Sequence, residues 1–172
     1  MKVASSGIIN GYFGNAFGHH GTQFLNEKKP NRSFPITWED LPEQTKSLSI
    51  VFLDHDAIPV CGFSWIHWVV ANIDPNLNGL PENASIEMPL LEGVTSWNSP
   101  IIPEDWRLSE EDATGFGGCT PPDKAHRYSI EVYSLDTILH LARGFYLNEL
   151  LTAMTGHILD QATLYALYTP KV

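Results

Sequence analysis

The sequence is short of basic residues, and this shortage excludes several kinds of partner. Its 10 lysines and arginines stand against 20 aspartates and glutamates, which gives a formal net charge of −10. A chain this acidic is repelled by nucleic acid and by anionic membrane surfaces, so we expect neither as a primary partner. A small anionic ligand stays compatible with this charge, because salt screens surface charge beyond roughly 8 Å and local hydrogen-bond donors dominate at shorter range.

Cysteines and long apolar runs are also scarce. Cys61 and Cys119 are the only cysteines among 172 residues. Two cysteines do not make the disulfide framework of a small secreted protein, so we interpret both as small buried thiols, with a disulfide between them as the alternative. No run approaches the roughly 18–20 apolar residues of a membrane span. Glycine, asparagine and histidine interrupt the N-terminal stretch where a signal peptide would be apolar. We therefore expect a soluble cytoplasmic protein with no transmembrane segment.

The composition that remains favours one turn-rich β domain. Hydrophobic residues make up 43% of the chain and charged residues only 17%, as in compact globular proteins. Twelve prolines, thirteen glycines and 11% aromatic residues favour many turns and strands. A length of 172 residues predicts a single domain over residues 1–172.

Three apolar runs, at residues 48–53, 65–73 and 126–135, predict the central strands. Each is short and rich in β-branched or aromatic residues, as buried or half-buried strands are. Weaker patterns predict strands at 3–9, 36–38, 86–91 and 162–168, helical turns at 108–112 and 137–143, and a helix over 149–155.

Polar side chains gather at the ends of these strands. Asp54 and Asp56 end the first strand, His67 lies on the second, and His126 opens the third after a loop rich in glycine and proline. Burying acids and histidines beside an apolar sheet costs free energy, so such residues are usually paired with one another or belong to a functional site. A carboxylate beside a histidine raises the pKa of the ring and fixes its tautomer, and the resulting donors suit an anion such as phosphate. The alternatives are that the aspartates only form turns and that the histidines are satisfied core residues.

Glycine lets the loop before the third strand bring its backbone N–H groups close to a ligand. Residues 117–120 read Gly-Gly-Cys-Thr, and their amides form a second candidate set of anion donors. Arg127 follows His126 and by strand alternation points away from it, so we expect it to form an ion pair that braces the loops. The adjacent histidines at 19 and 20 have no acid or cysteine close in sequence, and we predict no metal site there or elsewhere.

The two motifs together resemble the phosphatidylethanolamine-binding protein family, and most closely its bacterial Raf-kinase-inhibitor-like branch. The first motif is Asp-x-Asp-Ala-x-Pro followed by His-Trp, and the second is Gly-x-Gly-Gly-x-x-Pro-Pro followed by His-Arg-Tyr. The resemblance covers about residues 33–168. Two departures stand in the first motif, where His55 replaces the family's usual proline and Ile58 is added before Pro59.

This resemblance implies a mainly β fold, a Greek-key β-sandwich with one or two short helices near the C-terminus. It also implies a pocket for phosphate or a phosphoryl headgroup, and pairing as a homodimer. The family usually has fewer residues before its glycine-proline loop, so the segment from Pro100 to Thr114 is interpreted as a surface insertion. The ligand-binding residues predicted from the resemblance and the chemistry are Asp54, Asp56, His67, Gly118, Pro122, His126 and Tyr128.

Three functions follow from these residues. The leading hypothesis is a binding protein for a small anion, which regulates a kinase or a protease through protein contacts. It has no catalytic residue and needs no cofactor or metal. The second is a hydrolase or lyase with His67 or His126 as general base. The third is an interaction protein that works through segment 100–114.

Overall fold

The structure is a computed structural model that describes residues 1–171. It is mainly β, as predicted, and the described residues form twelve strands and four short α-helices. The strands are β1 (Lys2–Ala4), β2 (Ile8–Ile9), β3 (Tyr12–Phe13), β4 (Phe24–Leu25), β5 (Lys29–Pro30), β6 (Ile36–Glu39), β7 (Ser47–Asp54), β8 (Trp65–Ile73), β9 (Gly79–Leu80), β10 (Leu91–Glu92), β11 (His126–Leu135) and β12 (Ile158–Tyr168). The helices are α1 (Ile58–Cys61), α2 (Ala84–Glu87), α3 (Glu110–Ala113) and α4 (Leu147–Met154).

The largest sheet has the strand order β10-β8-β7-β11-β12-β3-β2. Strands β7, β8 and β10 follow one another as antiparallel neighbours, and β11 then returns to the free side of β7. This order is the Greek key, which was predicted from the resemblance. It places the end of β7 beside the start of β8 and near the start of β11.

The burial of strand β7 explains why its apolar residues follow one another without alternating with polar ones. All eight of its residues are buried. Ile50 and Phe52 pack into an apolar cluster on one face of the sheet, while Val51 and Leu53 pack into a second cluster on the opposite face. A strand that is covered on both faces carries apolar residues in succession instead of alternating ones, as residues 50–53 do here.

Different elements cover the two faces of the large sheet. The small sheet β1-β6-β9 supplies Ile36, Trp38 and Leu80 to the first cluster, which makes this side a sandwich of two sheets. Helix α4 supplies Leu150 and Met154 to the second cluster. Both layers remove apolar surface from water, and this burial is the main source of stability.

Two of the local predictions are wrong. Residues 86–91 were predicted as a short strand or an extended segment, but α2 occupies the start of this stretch and β10 begins only at its last residue. Residues 137–143 were predicted as a helical turn but form none. There the side chain of Asn72 donates to the carbonyl of Leu139 and accepts from its N–H, both at 2.8 Å, so these backbone groups are satisfied without a helix.

The other local predictions hold with shifted ends. The strand expected at 3–9 is split into β1 and β2, the helix expected at 149–155 begins two residues earlier, and the last strand begins at Ile158. The turn expected at 108–112 is α3, which Ser109 caps by accepting the N–H of Asp112. Both cysteines are free thiols, with Cys119 buried and Cys61 partly exposed. None of the helices within residues 1–171 has the length and apolar character needed to cross a membrane.

Candidate functional site

A cavity of about 310 Å³ opens where β7 ends and where β8 and β11 begin. Its floor is polar and its walls are mostly apolar. This size and composition match those of small-molecule binding sites, which combine apolar walls with a few well-placed polar groups. The polar lining residues are Asp54, His67, Thr120 and His126.

The floor is built around a buried ion pair between Asp54 and His126. Asp54 is the last residue of β7 and is only 3% exposed. Its Oδ2 accepts a hydrogen bond from Nδ1 of His126 at 2.7 Å, and its Oδ1 accepts the N–H of Ala57 at 3.1 Å. The register fixes this contact, because Asp54 lies opposite Tyr128 in the β7–β11 pair. The orientation of the His126 ring is therefore set by the sheet.

A second carboxylate holds the other side of the same ring. Nε2 of His126 donates to Oδ1 of Asp123 at 2.8 Å, and the side chain of Asp123 is 53% exposed. Burial opposes a charge on the ring, but the hydrogen bonds to Asp54 and Asp123 outweigh it and raise the pKa of His126. The hydrogen bond to His126 in turn lowers the pKa of the Asp123 carboxyl. The ring thus lies between one buried and one exposed carboxylate, and both favour its protonated form.

His67 lies in the same cavity but has the opposite electrostatic character. It is fully buried on β8, and its Nδ1 donates to the carbonyl of Gly117 at 2.7 Å. Burial lowers the pKa of His67 and outweighs the opposing charge of Asp54 and the hydrogen bond to Gly117. The ring is therefore neutral near pH 7, and its Nε2 is the acceptor nitrogen. The cavity therefore combines a histidine whose protonated form is favoured with one whose neutral form is favoured.

The walls come from three separate parts of the chain. One wall is the turn that contains α1, another is formed by aromatic residues of β8 and of the 3₁₀ turn at Ser96–Asn98, and a third belongs to segment 100–114. Trp65 and Trp97 meet edge to face with ring centroids 6.0 Å apart. The apolar lining residues are Ala57, Val60, Cys61, Trp65, Trp97, Ile102, Pro103, Trp106 and Pro122.

Four of the seven residues predicted to bind a ligand line this cavity, and three do not. Asp54, His67, Pro122 and His126 are in the lining. Tyr128 lies outside it as a fully buried residue whose ring packs 5.2 Å from that of His67, measured between centroids. Burial raises the pKa of Tyr128, and its hydroxyl has no hydrogen-bond partner within residues 1–171.

Asp56 and Arg127 form an exposed contact beside the cavity. The Asp56 carboxylate, which was predicted to bind ligand, accepts the backbone N–H of Arg127 at 2.8 Å. The prediction of an ion pair for Arg127 is wrong, because its guanidinium lies 3.8 Å above the ring of Tyr165. Its direction away from His126 is as predicted, since Arg127 is exposed while His126 is buried.

The glycine loop also differs from the prediction. Gly118 lies outside the lining, and the amides of Gly117, Gly118 and Cys119 point to other parts of the protein. Their N–H groups donate to the carbonyl oxygens of His67, Pro30 and Phe17 at 2.7, 2.7 and 3.0 Å. Glycine is needed here for close packing, because a Cβ on Gly117 would lie 2.7 Å from Nε1 of Trp97. These amides are bonded within the protein and are not presented to a ligand.

Sequence reasoning missed two parts of the site. Asp123 was not considered, although an acid three residues before His126 could have been recognised as a partner for it. Segment 100–114 was interpreted as surface, yet Ile102, Pro103 and Trp106 line the cavity. Its tryptophan was the available signal, because this large apolar ring is an unusual residue for a loop that contacts only water.

Comparisons with known proteins agree with this fold. The family model described as phosphatidylethanolamine-binding protein matches residues 4–169. YxkA of Bacillus subtilis is 45% identical over 145 residues, which cover 83% of this chain and 84% of the relative. A UPF0098 protein of Methanothermobacter thermautotrophicus is 36% identical over 139 residues, covering 80% of this chain and 83% of the relative.

Two solved structures have the same fold. A putative phosphatidylethanolamine-binding protein homologue of Chlamydia trachomatis is 27% identical, with a TM-score of 0.77 over 98% of this chain and 97% of the other. YbcL of Escherichia coli, described as a member of the mammalian family, is 25% identical, with a TM-score of 0.75 over 99% of this chain and 98% of the other. The chain therefore belongs to the phosphatidylethanolamine-binding protein family.

Proposed function

We propose that the protein binds a small anion, either phosphate or a phosphoryl headgroup, on the floor of the cavity. Membership of the phosphatidylethanolamine-binding protein family supports a ligand-binding protein. The finer proposal depends on Asp54, His67 and His126, which line one cavity beside apolar walls. Asp56, Gly118 and Tyr128 are left out of the proposed contact set because they lie outside the lining.

One observation carries this proposal, the contact between His126 and Asp123. An exposed carboxylate of the chain itself accepts a hydrogen bond from Nε2 of this buried ring, whose raised pKa favours the charged form. A phosphoryl oxygen that replaced the Asp123 carboxylate would form the same charge-assisted hydrogen bond, which is stronger than a bond between neutral groups. Asp54 would keep the ring fixed and protonated during this exchange through its own bond to Nδ1.

The test is an NMR titration of the histidine rings with inorganic phosphate and with O-phosphoethanolamine. We expect saturable shifts at His126 and His67 in the wild type and none at His67 in His126→Gln, whose amide can still donate to Asp54. The matched control is His157→Gln, because His157 also pairs with an aspartate, Asp136, at 2.8 Å, but on the surface outside the cavity. Absence of shifts in the wild type at millimolar ligand would contradict anion binding.

A second candidate function is acid–base catalysis by a hydrolase or lyase. The observation in its favour is the pair of histidines with opposite shifts, in which the pKa of His67 is lowered and that of His126 is raised. Such a pair supplies a neutral base and a charged acid at the same pH. Turnover of p-nitrophenyl phosphate or p-nitrophenyl acetate that is lost in His67→Asn would support it, and equal turnover in that variant would count against it.

The partners and location belong to the same proposal. The resemblance to the Raf-kinase-inhibitor-like branch supports a protein that pairs as a homodimer and regulates a kinase or a protease through protein contacts, and we propose a cytoplasmic location for it. Light scattering after gel filtration measures the oligomeric state directly. A monomer at every concentration tested would remove the homodimer from the proposal and leave the anion site unaffected.

A further inference from the structure

Segment 100–114 is held against the cavity by a contact at its base. The N–H of Leu108 donates to the carbonyl of Trp97 at 3.0 Å, and Nδ2 of Asn98 donates to the carbonyl of Leu108 at 2.8 Å. Leu108 is buried in a cluster with Trp97, Val94 and Ala113. The two ends of the loop between Asn98 and Leu108 are therefore fixed close together beside the cavity.

Within this loop, two turns direct apolar side chains to the cavity. The N–H of Ile102 donates to the carbonyl of Ser99 at 3.1 Å, and the N–H of Trp106 donates to the carbonyl of Pro103 at 2.9 Å. The Lys28 ammonium also donates to a backbone carbonyl of this loop, that of residue 105. With its backbone bonded in this way, the loop presents Ile102, Pro103 and Trp106 as one wall of the cavity.

This wall leaves a large apolar ring partly in water. Trp106 lines the cavity but is 50% exposed, whereas Trp97 on the opposite side of the loop base is nearly buried. Covering the exposed face of an indole with an apolar group is favourable, because aromatic side chains contribute large apolar areas to binding. The ligand needs an apolar part to make that contact.

The size of the cavity leads to the same conclusion. A volume of about 310 Å³ corresponds to about ten water molecules at their share of the liquid volume. A bare phosphate ion on His126 would fill a fraction of this space and leave the apolar walls in contact with water. The space suits an anionic head together with one compact apolar group.

We propose that the ligand is a phosphate monoester with one compact ring-sized apolar group, whose head lies on His126 and whose apolar group lies against Trp106 and Ile102. This rests on the proposed anion site and adds the class of ligand. Segment 100–114 then selects the ligand, while the strand ends bind the head that all such ligands share.

The test compares two esters with the same anionic head, phenyl phosphate and methyl phosphate, by isothermal titration calorimetry. We expect phenyl phosphate to bind about tenfold more tightly to the wild type, because only its ring reaches the apolar wall. Trp106→Ala removes this preference, because phenyl phosphate then loses about tenfold in affinity relative to methyl phosphate. The matched control is Ile101→Ala, because Ile101 belongs to the same loop and is 56% exposed but does not line the cavity.

The outcomes separate this inference from the anion site beneath it. Equal affinity of the wild type for the two esters overturns the inference and leaves the anion site standing. An equal loss of affinity for both esters in Trp106→Ala also overturns the inference. The indole ring would then stabilise the conformation of the loop and would not contact the apolar group of the ligand. Binding of neither ester by the wild type overturns the anion site and the inference together.

Discussion

Replacement of Asp54 by asparagine tests the charge pairing on the cavity floor. Asp54 is buried and accepts hydrogen bonds from the N–H of Ala57 and from His126. The amide oxygen of an asparagine can still accept from Ala57, so the main loss is the negative charge beside the imidazolium. We expect the pKa of His126 to fall and the protein to lose stability, with the size of the loss depending on pH.

The magnitude follows from the kind of hydrogen bond that is lost. A hydrogen bond to a charged group contributes about 1.5–3 kcal/mol, and a neutral one about 1 kcal/mol. Because Asp123 still pairs with His126, we expect Asp54→Asn to lower the free energy of unfolding by about 2 kcal/mol while the ring is charged. At higher pH the ring is neutral in both proteins, and the difference shrinks to about 1 kcal/mol or less.

The direction of this pH dependence follows from the change in the pKa of His126 on folding. The pKa of His126 is raised in the folded protein above its ordinary value of 6.5. The pair therefore stabilises the fold fully below about pH 6.5, and this contribution is lost as the pH rises through the folded-state pKa. Urea unfolding at a series of pH values should show the two stability curves converging as the pH rises.

The matched control for this experiment is Asp56→Asn. Asp56 lies in the same loop but is only partly buried, and its carboxylate accepts the N–H of Arg127, which an asparagine oxygen can also do. We expect a change below about 0.5 kcal/mol at every pH. Two results would refute the pairing. One is a difference in the free energy of unfolding between wild type and Asp54→Asn that stays constant with pH, and the other is an unchanged pKa of His126 in that variant.

Two further predictions concern neighbouring positions. Asp123→Asn should lower the pKa of His126 and tighten phosphate binding about two- to fivefold, because it removes a competing half-exposed carboxylate; calorimetry that shows weaker binding would count against the exchange. Gly117→Ala should lower the free energy of unfolding by about 1–3 kcal/mol, because its Cβ would lie 2.7 Å from Trp97. The control is Gly14→Ala, whose Cβ would have its nearest contact at 3.4 Å and which should change stability little in the same urea unfolding assay. Equal losses in the two alanine variants would contradict the packing argument.

The central strands could be predicted because each contains a run of apolar residues that marks it as buried. Strand β7 is apolar on both faces, and its apolar run ends at a turn, so a local pattern is enough to place it. The predicted limits of β8 and β11 also agree with the structure. The aspartate and histidines at their ends follow from the same registers, which explains why the floor of the cavity was assembled from sequence.

The missed features depend on partners far away in the chain. Residues 137–143 avoid a helix because Asn72, more than sixty positions earlier, bonds the backbone at Leu139. The N-terminal strand β3 pairs with β12 through Tyr12 and Leu167, and a two-residue strand carries no local pattern. The walls of the cavity were missed for the same reason, because nothing near Trp106 in sequence shows that it lies across a cavity from α1.

The base contact between Trp97 and Leu108 also bears on how ligand preference could change during evolution. The residues between Asn98 and Leu108 start and finish at fixed neighbouring points, so their number and identity can vary at little entropic cost to the rest of the fold. Mutations there would alter the wall without touching the strand ends that bear Asp54 and His126. The anion-binding residues and the residues that contact the apolar group thus lie on separate parts of the chain. Exchanging this short loop between relatives is a direct way to transfer ligand preference from one protein to another.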